Sequence, residues 1–449
     1  MLRTLYLAVL ALAACALAGC ASRCKQVDAV RAELLARGAA PREIDVRVLV
    51  PLERANELIA ELLRERPLSV PMEPPSLGGL VLPVRALTSV AREVRVLPGP
   101  PGKVRFEVTV EVRAGEERLL SIAALAEVVP LLQRRGDATE LVLQFGVDDL
   151  LELQPRVSAP APEALARAVA RWIPSPLRER IPRATVEDAA KRLGAHLLSS
   201  AYQTVRRAVP QLGDLTRLKL QLPELPVTTA SVRTVPEAPL AGEAAGAGAA
   251  QRASGALVVE LITELPVRRG LPALTDAATP PEVTFEFSGS AASELANWAI
   301  ERGHLPRWYT RDLTPRESGE FRPRLDFLDA EPGHPFKIHV LQERGGCSYF
   351  RVGASVALAL EGEQLEVTLL DRVLERAIAP PWLALAARLK YFLTGSIDQS
   401  RRVAARTTLS IGGRPLETRV VGAELAAGLL RFAVQLSSAE PAAMAALPR

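Results

Sequence analysis

The residue best placed for covalent chemistry is Cys20, which follows an almost uninterrupted apolar run from Leu5 to Leu17 and closes the stretch Leu17-Ala18-Gly19-Cys20. It supplies a nucleophilic sulfur beside small residues. Cys15 lies inside the apolar run. Cys24 and Cys347 remain, either to pair in an oxidising compartment or to stand as two unpaired thiols, and the sequence leaves both open. His196 has no second His one turn away, and His334 and His339 lack a third ligand at metal-site spacing. These three and His304 therefore read as satisfied or exposed side chains. Gly345-Gly346 before Cys347 reads as a turn between strands, and Asp148-Asp149 as a turn or helix cap. The sequence shows no Gly-x-Ser-x-Gly elbow, phosphate loop or dinucleotide fingerprint. The expectation is a protein that is not an enzyme, with no cofactor and no metal.

Composition narrows the classes further. Apolar residues make up 48% of the 449, which argues for real cores and against disorder. The net charge is only +4, and the Arg residues are scattered beside Glu, with aromatics at 4%. A nucleic-acid surface wants a basic stripe with interleaved aromatics, so no nucleic-acid partner is expected. The first twenty residues have the layout of an export signal, with Arg3 as the positive end and an apolar run too short to span comfortably. No second run of eighteen apolar residues follows.

Several elements can be read from spacing. Ile44-Asp45-Val46-Arg47-Val48 alternates with period two, and a helix follows from Pro51 with Leu52, Ala55, Leu58, Ile59, Leu62 and Leu63 on one face. Beyond a Pro-rich loop, 67–75, come strands. In Arg105 to Val112 every even position is apolar and every odd one polar. Leu119–Val128 and 140–145 read as further strands of a curved antiparallel meander. A long helix is expected from Thr185, capped by a Thr185/Asp188 box, to about Val209, with Val186, Ala190, Leu193 and Leu197 laid on the sheet's greasy face. Strands at Leu218–Leu222 and Val227–Val235 precede an Ala/Gly-rich stretch, 237–255, read as a linker or loop, and Ala256–Leu265 follows it.

The second half repeats the opening. Val283 to Phe287 alternates, and Ser290 caps a helix that stops at Gly303. Strands are expected at Lys337–Val340, Arg351–Leu360 and Gln364–Leu370, then a helix over Pro381–Leu393 and strands at Thr407–Ile411 and Leu429–Leu436. The pattern suggests an internal duplication of strand, helix, meander, helix and strand.

Leu17-Ala18-Gly19-Cys20 resembles the lipobox of bacterial lipoproteins, which implies cleavage before Cys20, lipid on its sulfur, and a membrane anchor. Ala at position 21 implies, by the same resemblance, an outer-membrane address facing the periplasm. The body, on segments 43–66, 185–235 and 282–303, resembles the TULIP superfamily of tubular lipid-binding domains. Two such units in tandem are similar to the bactericidal/permeability-increasing protein group. The implied fold is α+β, with two tandem elongated domains, each a curved antiparallel sheet wrapped around long amphipathic helices. The implied boundaries are a signal over 1–19, a lipidated tether over 20–40, and domains over 41–270 and 271–440. The implied activity is binding or transfer of phospholipid or lipid A in an apolar groove, for which Phe106, Val108, Val110 and Val112 are candidates. The alternative is an assembly lipoprotein that holds a protein partner.

Overall fold

The computed structural model describes residues 21–36, 44–65, 69–72, 76–77, 80–81, 87–100, 103–115, 117–128, 141–142, 153–158, 166, 169–173, 182–195, 199, 203, 217–219, 227–236, 255–274, 280–310, 315–328, 333–344, 346–411, 414–426 and 428–438. The fold is α+β, built mostly of antiparallel sheets, one curled into a half-barrel, with few helices.

The largest sheet has nine strands. Their order is Val227–Pro236, Gly255–Thr263, Val46–Pro51, Val283–Ser288, Leu429–Ser438, Arg414–Ala426, Arg406–Ile411, Arg217–Lys219 and Leu141–Val142. Its middle is symmetric. The two opening strands expected from the repeat, Val46–Pro51 and Val283–Ser288, lie side by side and antiparallel. Val48, third in its strand, faces Phe285, third in the other. Each six-residue strand runs straight into a helix of 14 residues, Leu52–Glu65 and Gly289–Arg302. On its far side each opening strand pairs with the second strand of a hairpin from later in its own half. The two halves therefore meet in one continuous sheet.

Alternation predicts one wet face for the opening strand, and here the structure differs. Val46 and Val48 pack into the main cores, but the opposite face is also covered. Arg47, with a side chain only 3% exposed, donates to Glu260 at 3.1 Å and to Glu286 at 3.2 Å. It also donates to the Pro272 carbonyl at 2.6 Å. Arg233 and Arg431 extend the ladder outward onto the same two carboxylates. Arg47 is directly opposed to Glu260 and Glu286 and Glu286 to Arg431, while Arg233 reaches Glu260 diagonally, so charges of alternating sign satisfy the two buried carboxylates.

A five-stranded sheet, Ser69–Met72, Leu87–Leu97, Val104–Ala114, Glu117–Val128 and Leu153–Ser158, carries the meander of the first half. Ser69–Met72 falls in the expected Pro-rich loop, which corrects that reading. Its place on the sheet's edge explains how Pro71, with no N–H to give, is tolerated there. A seven-stranded sheet carries the second half: Pro315–Arg316, Trp308–Tyr309, Phe321–Phe327, Phe336–Gln342, Tyr349–Glu361, Gln364–Ile378 and Gln399–Ala404.

Both opening helices are fastened by an Asn amide used twice. Asn56 accepts from the Val96 N–H at 2.6 Å and donates to its carbonyl at 3.2 Å. Asn297 does the same to Leu325, at 2.7 and 2.9 Å. The caps shift from those expected. Ser288, not Ser290, caps the second helix, accepting from the Ala291 N–H at 3.0 Å, while Ser290 accepts from the Arg268 N–H. Gly303 ends that helix at a φ of 81°, as a left-handed cap requires. The helix expected from Thr185 begins at residue 183, because the Pro182 carbonyl already accepts from Thr185 and Val186. Asp188 is thus not a capping residue, and it pairs instead with Arg192 at 3.1 Å. This helix is described continuously to 195 and again at Ser199 and Gln203, both helical and exposed, while the rest of its expected extension to Val209 lies outside the described residues, as do Asp148-Asp149, His196 and residues 237–254 of the Ala/Gly stretch.

Candidate functional site

The four groove candidates sit on the strand Val104–Ala114. Val108, Val110 and Val112 are fully buried and Phe106 is 6% exposed. One end of this apolar row, Phe106 to Val110, packs with Val46, Leu52 and Leu63 of the opening strand and helix and with Val232, Val259 and Leu261. The other end, Val112, packs with Leu119, Leu120, Val169, Ala190 and Leu193. The helix over 183–195 therefore lays its stripe on the sheet as the spacing predicts. Around these four residues the described side chains interlock, and neither cleft described below reaches them.

The outer face of the same strand is charged. Arg92 and Arg113 each donate to Glu111, at 3.0 and 3.1 Å. Burial pushes the Glu111 carboxyl up, but these hydrogen bonds and charges together hold it below its ordinary value. Glu127 is also held low, by the Arg105 hydrogen bond first and by Lys103 as well. Glu294, on the second opening helix, goes the other way. Burial raises it, and Arg324 at 3.2 Å offsets that only in part.

Residues 21–35, expected as a tether, form a helix docked on the second half. Val27, Val30 and Leu34 bury against Leu341, Tyr349 and Ile378, and a disulfide joins Cys24 to Cys347. This settles the pairing that the sequence left open, and it removes the thiol after Gly346 as a nucleophile. Cys20 itself lies outside the described residues. A cleft of about 270 Å³ opens between this helix and Gly289–Arg302, lined by Leu34, Leu35, Ile300 and Leu341 among paired Arg and Glu side chains.

A larger cleft of about 720 Å³ lies where the helix Pro381–Thr394 crosses the strand Gln364–Ile378. Val373, Leu374 and Tyr391 form its apolar walls, with the largely exposed Phe392 at its rim and Arg372, Arg388, Asp371 and His334 at its polar positions. Arg372 is buried and donates to the carbonyls of Thr394, at 2.9 Å, and Ile397, at 2.6 Å, which pins the end of the helix to the strand. Burial raises the Tyr391 phenol, so it stays protonated and able to donate. Spacing predicts both elements but not their contact, which lies at an irregularity of the strand, where Asp371 takes a φ of 47° and the pairing shifts between Leu370 and Val373.

His339 is a core residue 2% exposed, its Nδ1 2.9 Å from the Tyr349 hydroxyl, with Asp326 at 3.7 Å from Nε2. His304 lies exposed against Trp298. Among the described residues no group of three His, Cys, Asp or Glu is placed to hold a metal ion. Among them, too, no helix is long and apolar enough to cross a membrane.

No protein family model matches the chain, and no curated protein matches it. Among solved structures it is similar to P47 of Clostridium botulinum E1, at 9% identity and a TM-score of 0.41, over 88% of this chain and 100% of that one. P47 of Clostridium botulinum A2 is similar at 11% identity and a TM-score of 0.38, over 89% and 99%.

Proposed function

We propose that this chain is an envelope lipoprotein, anchored through lipid on Cys20, that binds or transfers phospholipid or lipid A in an apolar groove. The supporting observation is the cleft of about 720 Å³ under the helix Pro381–Thr394. Its size is that of small-molecule sites, which run from roughly 300 to 1,000 Å³. Apolar walls with Arg372 and Arg388 at the polar positions suit acyl chains joined to an anionic head. The first half supports the same reading by contrast, since its row from Phe106 to Val112 is filled by its own side chains and leaves cargo space to the second. Two domains in tandem, 41–270 and 271–440, remain the proposed organisation, joined through the paired opening strands.

Val373→Trp places a large side chain in this cleft and should lower uptake of a fluorescent fatty acid several-fold while leaving the fold intact by circular dichroism. Unchanged uptake would remove the cleft as the lipid site. The alternative, an assembly lipoprotein that holds a protein partner, is favoured by one feature, the exposed apolar residues of that helix. It expects a stable partner on cross-linking and no bound lipid.

A further inference from the structure

The helix Pro381–Thr394 is built inside out for a protein in water. Its half-buried side, toward the strand it crosses, carries Leu383, Ala384, Ala387, Tyr391 and Thr394. Its outward side carries larger apolar residues, among them Trp382 at 61% exposure, Leu385 at 68%, Leu389 at 56% and Phe392 at 84%. Ile397 and Val403, just beyond the helix, are exposed as well. A soluble helix puts its large apolar stripe on the core, as the helix over 183–195 does in the first half. Packing does not require this arrangement, because Leu383, Ala384, Ala387 and Tyr391 already fill the side toward the sheet and leave the outward residues without a core to join.

The charges select what covers it. From 381 to 404 the chain carries Arg388, Lys390, Arg401 and Arg402 against one acid, Asp398, and although Arg402 is paired with Glu361 and Glu366, the excess of Arg388, Lys390 and Arg401 over Asp398 remains. A short apolar face with a Trp near one end and cations alongside matches an anionic lipid interface. Its position agrees. Ile378, buried against the disulfide-held helix over 21–35, lies three residues before Pro381, within about 11 Å along the chain. The start of the apolar helix, with Trp382, thus lies near the helix that follows the proposed anchor.

We infer that Pro381–Thr394 is a membrane-docking helix, lying in the interface of an anionic bilayer with Trp382, Leu385, Leu389 and Phe392 toward the acyl chains. This goes beyond the cargo reading, because it concerns the outer side of the helix and needs no lipid in the cleft. It also fixes how the protein stands on its membrane.

Because the N-terminus can hold the chain on vesicles by itself, the test reads the position of the helix, not the extent of binding. The full chain is reconstituted on vesicles containing brominated lipid, and the quenching due to Trp382 is taken as the difference from Trp382→Phe. Strong Trp382 quenching is expected on phosphatidylglycerol vesicles, much weaker quenching on phosphatidylcholine, and a reduction with added salt. Leu385→Asp with Leu389→Asp should abolish it, and both positions are exposed enough to spare the fold. Val373→Phe, which fills the cleft, should leave it unchanged, so failure of the cargo reading is distinguishable. No Trp382 quenching, equal quenching on neutral vesicles, or loss on filling the cleft would overturn the inference. So would a dimer or a partner protein released by the two Asp substitutions while quenching stays absent.

Discussion

Arg47 occupies a position at which alternation implied a solvent-facing charge, yet it is enclosed between Glu260 and Glu286. Removing it strands two buried carboxylates, so Arg47→Met should cost about 3–5 kcal/mol, measured by chemical denaturation. A cost near zero would mean that water reaches the ladder. The carboxylates on the outer face give a test by pH. Glu127 is held low in the folded state, so its pairing with Arg105 contributes stability above the ordinary carboxylate value and loses it as pH falls through the depressed one. Glu127→Gln should therefore be less stable than wild type at neutral pH, with the gap closing in acid. Glu294 has the opposite sign. Its raised value favours the fold below the ordinary carboxylate range and loses that contribution as pH rises through the folded value, so Glu294→Gln should not lower stability at neutral pH through this linkage. Such pairings were invisible in the sequence because the partners of Arg47 lie more than two hundred residues away.

At the scale of elements, periodicity was informative wherever one face of a strand or helix is covered. The strand holding Phe106 to Val112 and the stripe of Val186, Ala190 and Leu193 are both found as the spacing implies. It was silent about Phe321–Phe327, whose Arg322 and Arg324 face a helix rather than water and pair with Glu301 and Glu294. It also missed Leu87–Leu97, where a register shift between Ala91 and Glu93 breaks the period-two pattern. Caps slipped by two residues from Ser290 to Ser288 and by three from Thr185 to Pro182, because several neighbouring residues can open a helix and only the backbone chooses between them. Two helices invite direct comparison. Leu193→Ala removes a buried side chain and should cost about 2–5 kcal/mol. Leu389→Ala removes an exposed one and should change stability by less than about 0.5 kcal/mol in aqueous buffer. Equal costs would mean that Leu389 is covered in solution.

Across the whole molecule, the repeat of strand and helix pointed to two similar openings, and their direct pairing in one sheet is what spacing cannot show. Antiparallel contact between Val48 and Phe285 depends on how the intervening chain returns, through Gly255–Thr263, to flank the first strand. The cleft under Pro381–Thr394 was equally hidden, since it forms where that helix packs against a strand of irregular pairing at Asp371. The disulfide gives the largest constraint, closing a separation of 323 residues. Cys24→Ser with Cys347→Ser should lower stability by about 2–5 kcal/mol and raise hydrogen exchange over residues 21–35. Unchanged exchange there would show that Val27, Val30 and Leu34 hold the helix without it. Whether this chain carries lipid can be read by native mass spectrometry of the full chain released gently from membranes. A mass increment of a phospholipid or lipid A beyond the N-terminal modification, lost in Val373→Trp, is expected; a single species of empty protein that takes up no added lipid would overturn the lipid-carrier proposal.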